Sequence, residues 1–280
     1  MEEEIYMNKL LKWTSALVLA LSLALLAACG NSAESDGKTI KIGATAGPYY
    51  DMVKKAIQPE LEKKGYKVEV VEFTDYIQPN TALSEGELDA NLFQHEVFMK
   101  SYNQENNKNL AALISVPTAP MGLYSAKYND LNDVKTGAEV AVPNDPANAA
   151  RAFLTLQDQG LIRLKSDVDT LKASVQDIAE NPKKLTFKQL ESANLPRAVD
   201  DLDIAAVPGN FALSANMKLQ DALALENMPD RYRNQVVVDE KNKDKPFAKD
   251  LKEAVKSKAF EDTIDREFAG FGKPKWMSKS

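Results

Sequence analysis

The chain has 280 residues, with 41 acidic against 35 basic side chains, a formal net charge of −6, one histidine and one cysteine. That balance argues against a nucleic-acid partner, which needs a basic face. A lone cysteine excludes a disulfide-held fold, and a lone histidine leaves little for a zinc site or a histidine-based nucleophile.

The first segment reads as an export signal. The acidic residues 1–5 suit export poorly, whereas Met7-Asn8-Lys9-Leu10-Leu11-Lys12 is a basic n-region, so Met7 is taken as the true start. Residues 16–28 are almost continuously apolar and end in Leu26-Ala27-Ala28-Cys29. This has the length and small-residue exit of a signal peptide rather than of a membrane-spanning helix. Leu-Ala-Ala-Cys resembles the bacterial lipobox, which implies a signal peptide over 1–28 and lipidation of Cys29. The stretch 29–38 then holds the anchor and a flexible Ser/Gly/Asp/Glu-rich tether.

From residue 39 the pattern alternates between strand and helix. A strand is predicted at 40–44, a helix at 50–64 stopped by Gly65, a strand at 68–71, a helix at 80–85 stopped by Gly86, and a strand at 88–93. The phrase helix, acidic turn, strand, polar loop recurs at 201–210, which suggests two α/β lobes meeting at the ends of their strands. Residues 121–125 read as a strand leaving the first lobe and 234–238 as the strand that returns. Residues 246–268 read as one amphipathic helix on the first lobe. The expected division is 39–124 plus 235–280 for lobe 1 and 125–234 for lobe 2.

The most informative stretch is Val142-Pro143-Asn144-Asp145-Pro146-Ala147-Asn148-Ala149-Ala150-Arg151. An apolar strand meets a capping pair, a proline suited to the first helical turn, and helix formers. The helix start offers free N–H groups, and Arg151 shares a face with Asn148, a combination suited to a carboxylate. Catalytic alternatives find little support. Phe93-Gln94-His95-Glu96 lacks the second histidine of a zinc helix, and neither a phosphate-binding loop nor a glycine-rich dinucleotide motif is present. A binding protein without cofactor or metal is expected, not an enzyme.

Several phrases occur together and in order: Glu87-Leu88-Asp89-Ala90-Asn91 before Phe93-Gln94-His95, the Asn144 to Arg151 stretch, Glu180-Asn181-Pro182-Lys183, and Leu195-Pro196-Arg197 followed by Asp203 and Asn210. From about residue 39 to the C-terminus the chain resembles the NlpA-type lipoproteins, the methionine-binding subunits of ABC importers. The resemblance implies a bilobed, periplasmic-binding-protein-like α/β fold of type II, with two lobes joined by two strand crossings. It implies methionine, L- with D- left open, bound in the interlobe cleft outside the cell membrane and delivered to a permease and its ATPase by a monomeric receptor. Arg151, with Asn148 and Asn144, would hold the ligand carboxylate, while Tyr76, Phe93 and His95 line the side-chain pocket. Two positions depart from the pattern. Pro208 lacks an amide, so its contact falls to Asn210 or is absent, and Ala119 stands where relatives often carry larger residues, which would widen the pocket. Another apolar amino acid or a short peptide therefore stays open, as do a surface adhesin that has lost ligand binding and a lipid-anchored hydrolase using His95.

Overall fold

The computed structural model describes residues 38–277. The predicted signal peptide, the expected Met7 start and Cys29 lie outside the described residues. Strand β1 (Thr39–Thr45) buries Ile40, Ile42 and Ala44 at alternate positions, as a strand with one inward face must. The following helix starts earlier than expected, at Pro48, and is not uniform: Pro48–Met52 passes through a π-helical turn, Val53–Ile57, into Gln58–Lys63. Pro59 accounts for the turn. Its ring cannot donate to the carbonyl four residues back and crowds it, and widening the turn relieves both, with the N–H of Gln58 reaching back to Val53. Gly65, at φ 85°, ends the element.

The rest of the first lobe comprises β2 (Lys67–Phe73), the Gln78–Glu85 helix stopped by Gly86 at φ 83°, β3 (Ala90–His95), the Glu96–Asn106 helix and β4 (Leu110–Ser115). The second lobe contains β5 (Gly122–Tyr124), β6 (Glu139–Pro143), the Pro146–Asp158 helix, the paired β7 (Arg163–Leu164) and β8 (Ile178–Glu180), β9 (Thr186–Leu190), β10 (Ile204–Val207) and β11 (Ala224–Leu225). The chain then returns through β12 (Asn234–Asp239). One sheet has the order β2-β1-β3-β12-β4 and the other β11-β5-β10-β6-β9. Each has its own apolar core. Segments 116–121 and 226–233 carry the chain between them.

Two expectations need correction. Gly122–Tyr124, read as a strand leaving the first lobe, is hydrogen-bonded antiparallel to β10 and β11 in the second sheet. Short apolar strands look alike in sequence, and only their pairing assigns them. The predicted single C-terminal helix is two, Pro246–Val255 and Lys258–Glu267, separated by Ser257, whose hydroxyl accepts the N–H of Phe260 as an N-cap. Both pack Leu251, Val255, Phe260 and Ile264 on the first sheet.

The repeated phrase has the same local structure in both lobes. Asp89 accepts the N–H of Lys41 and returns its own N–H to the carbonyl of Lys41, joining β3 to parallel β1. Asp203 does the same with Glu139, joining β10 to parallel β6. The matched pairs aim the C-terminal ends of β3, β6 and β10 at one region. No helix among the described residues is long and apolar enough to cross a membrane.

Candidate ligand-binding site

Where those strand ends meet, a cavity is lined by Tyr76, Phe93, His95, Asn148, Arg151 and Asn210. Only about 10 Å³ of it can hold the centre of a water molecule, so its walls stand close together. Tyr49, Gln94, Phe98, Thr118, Ala119 and Asn234 complete the lining.

The end of β6 turns into its helix much as predicted, with one difference in its electrostatics. Asp145 is the N-cap: its carboxylate accepts the N–H of Asn148 at 2.9 Å and the Asn148 side-chain amide at 3.1 and 3.2 Å. The helix start, expected to attract a ligand anion, already faces an acid of its own. Burial raises the pKa of that acid, while the Asn148 hydrogen bonds oppose the rise. Asn144 is exposed, gives its N–H to Leu190 and lies outside the cavity. Successive side chains of an extended segment point opposite ways, and Asp145 takes the inward position.

Asn148 is the hub. Its amide nitrogen faces Asp145, so its carbonyl oxygen is free to accept from His95 Nε2 at 3.2 Å and from Arg151 Nη1 at 3.5 Å. His95 ends β3 and caps the next helix, its Nδ1 accepting the N–H of Phe98 at 3.2 Å. That bond leaves the proton on Nε2. Burial, aided by Arg151, pushes the His95 pKa down to about 3, so the ring is neutral at physiological pH.

Arg151 is 5% exposed and lies over the ring of Tyr232, 5.9 Å from its centroid. Its Nε donates to Glu226 Oε2 at 2.5 Å and its Nη2 to Glu226 Oε1. Burial opposes the charge on the guanidinium, and Glu226 outweighs that effect. The side-on edge of the fork is thereby occupied, which leaves Nη1, 3.5 Å from the Oδ1 of the cavity-lining Asn148, as the arm not held by Glu226.

Opposite, Asn210 follows β10. Its Oδ1 accepts from the Tyr76 hydroxyl at 2.5 Å, joining the lobes, and its Nδ2 is buried without a partner. The Ser214 hydroxyl donates to the carbonyl of Ala46 at 2.9 Å as a further link between lobes. Pro208 serves as the N-cap, its carbonyl accepting from Phe211 and Ala212. Ala119 lines the cavity and also packs against Gly209. A β-carbon on Gly209 would fall 2.7 Å from that of Ala119 and 2.4 Å from the carbonyl oxygen of Pro120, so small residues here let the crossing segment approach this helix.

Aromatic rings form the remaining wall. Tyr76 lies 5.7 Å from Phe93, 5.9 Å from Phe98 and 4.8 Å from Phe211 between centroids. Sequence reasoning named Tyr76 and Phe93 and missed Phe98, whose place one helical turn after His95 was the available signal. It also missed Tyr49, Asn234 and Glu226, for which spacing offers no clue. Other motif residues prove to be scaffold: the Lys183 ammonium donates to the carbonyls of Leu131, Asn132 and Val134.

Residues 40–276 match the NlpA lipoprotein family. The chain is 38% identical over 268 residues to the D-methionine-binding lipoprotein MetQ of Salmonella typhi, covering 94% of this chain and 98% of that one. Among solved structures it is similar to a nutrient-binding protein from Burkholderia cenocepacia bound to methionine, with TM-score 0.79, 42% identity and coverage of 82% and 97%. It is also similar to the methionine-binding protein MetQ, with TM-score 0.80, 34% identity and coverage of 86% and 100%. The bilobed, periplasmic-binding-protein-like α/β fold implied by the sequence is the fold observed.

Proposed function

The chain belongs to the NlpA lipoprotein family, and from that premise we propose that it is the extracytoplasmic solute receptor of an ABC importer, binding methionine between its lobes. The observation that carries this is the convergence on one cavity of the end-on edge of Arg151, the unpartnered amide of Asn210 and an aromatic wall. The guanidinium suits a carboxylate, and a thioether on aromatic rings gains about 0.3–1.5 kcal/mol per contact. Asn148 holds Arg151 and His95 in place, and Asn144 is left out of the ligand set. Segments 116–121 and 226–233 form the hinge between lobes. Links such as Tyr76 to Asn210 and His95 to Asn148 favour the closed state that the ligand selects.

Relatives named as lipoproteins support an anchor at Cys29 on the outer face of the cell membrane. Each buried acyl methylene contributes about 0.8 kcal/mol to such an anchor, so replacing Cys29 with serine releases the protein from membranes. The protein acts as a monomer that presents its ligand to a permease and its ATPase. The hydrolase reading gains nothing from His95, whose basic nitrogen accepts a helix N–H and so offers no lone pair to a substrate proton.

Thermal unfolding against a panel of amino acids and short peptides tests the reading. Methionine at a hundred times its Kd adds about 2.7 kcal/mol of stability. A response to a different apolar amino acid or a peptide changes the ligand and keeps the mechanism, whereas no response to any of them leaves the adhesin.

A further inference from the structure

Glu226 lies just after β11, on the second segment crossing between the lobes, and its side chain is only 3% exposed. Besides its two bonds to Arg151, its Oε1 accepts the N–H of Met121 at 2.6 Å, and its own N–H returns to the Met121 carbonyl at 2.9 Å. One carboxylate thus ties both crossing segments to the arginine of the cavity. Among the described residues that line the cavity, Arg151 is the one that carries a formal charge, since His95 is neutral. The other acid nearby, the half-buried Asp145, faces the amide of Asn148 and a helix start.

We propose that Glu226 is the positioning and specificity-determining residue of the site: it cancels the charge of Arg151 and leaves only the end-on edge of the guanidinium to the ligand, so that a zwitterion is accepted and a simple carboxylate anion is disfavoured. The inference rests on the reading of Arg151 as the carboxylate partner. The physical reason is the cost of burying net charge. With Glu226 and Arg151 balanced, a zwitterionic amino acid adds no net charge, whereas a carboxylate without an ammonium adds a full negative one. Without the Glu226 charge the preference shifts toward the anion, because the anion then balances the arginine.

The test compares L-methionine with 4-(methylthio)butanoate, the same molecule without its amino group and no larger, by calorimetry on the wild type and on Glu226→Gln. The single amide oxygen of the glutamine can take the place of Oε1, accepting from Met121 and from Arg151 Nη2, while the charge and the acceptor of Arg151 Nε are removed. Methionine binds the wild type better than the des-amino analogue, and the ratio of their dissociation constants shifts by at least about tenfold toward the analogue in Glu226→Gln. A purely structural role would weaken both ligands alike, so an unchanged ratio overturns the proposal. Glu226→Asp, which keeps the charge, retains the wild-type preference. Should Glu226→Gln fail to fold, the arginine side-chain ¹⁵N resonances of the wild type decide. The Nε–H of Arg151 stays protected from exchange and unmoved when methionine is added, and its displacement by the ligand overturns the proposal. Failure of the wild type to bind methionine sinks the proposed ligand, a result distinct from binding with an unchanged ratio.

Discussion

Two clusters of buried polar side chains share strand β3, and they are completed differently. Asn80, Asn91 and Gln94 hydrogen-bond one another: Asn80 and Gln94 exchange amides at 2.8 and 2.5 Å, Asn91 donates to Asn80 at 2.9 Å and to the Pro79 carbonyl at 3.1 Å, and Gln94 donates to Asn91 at 3.1 Å. Every amide finds its partners inside the protein, so the cluster holds a helix start to the sheet. One strand end away, His95, Asn148, Arg151 and Asn210 are as deeply buried, yet an Asn210 amide has no partner and an arginine edge faces the cavity. A closed network stabilises the scaffold. An open one carries the desolvation cost of its unpaired groups until something else satisfies them, and that is how a binding site differs from a core.

Substitutions in the two clusters can break this contrast. The largest effect falls on Arg151→Ala, which leaves the buried charge of Glu226 with only the N–H of Met121 as partner. Chemical unfolding shows a loss of about 3–5 kcal/mol, and methionine affinity falls by about a hundredfold or more as charge-assisted bonds are lost. Binding that survives this change would mean the open cluster is not the site. Asn91→Ala strikes the closed cluster instead, with a stability loss of about 1–3 kcal/mol. The folded protein then keeps its methionine affinity to within a factor of about two, since Asn91 itself lines no part of the cavity and its cavity-lining partner Gln94 keeps both bonds to Asn80.

Acid separates the clusters differently, because the amide cluster holds nothing to titrate. The His95 pKa is depressed to about 3 in the folded state, below its ordinary 6.5. Between those values the unfolded chain binds a proton that the folded one does not, so stability falls as pH drops below 6.5, approaching about 1.4 kcal/mol per pH unit, and levels off near pH 3. Denaturant titrations across that window show a shallower slope for His95→Gln, by up to about one proton per molecule. An identical slope in both proteins would mean that His95 is not held neutral. The smallest effect on binding is that of Asn210→Leu: it removes the open amide together with the acceptor of the Tyr76 hydroxyl, costs methionine binding about 0.5–1.5 kcal/mol, and is read by calorimetry.

The strands and helices of the first lobe were largely legible, because glycine stops and apolar alternation are local signals. Gly65 and Gly86 end helices at positive φ, and Asp145 caps with the geometry its neighbours require. Arg151 and Asn148 were legible for the same reason, being one helical turn apart. Legibility failed wherever a residue's role depends on a distant partner. Asn144 was grouped with the site by proximity in sequence, and backbone alternation turned it outward. Gly122–Tyr124 was placed in the first lobe by its position in the chain, and pairing with β10 put it in the second.

The sequence by itself determined the alternation of elements, the caps at their ends and the residue types that gather near the strand termini, since each follows from interactions within a few residues. Tertiary structure alone decided which acid meets Arg151. Glu226 lies 75 residues further along the chain, and it is the second crossing between the lobes that brings its carboxylate to the guanidinium. The attraction of such a pair offsets the desolvation of two charges only in the geometry that the completed fold imposes.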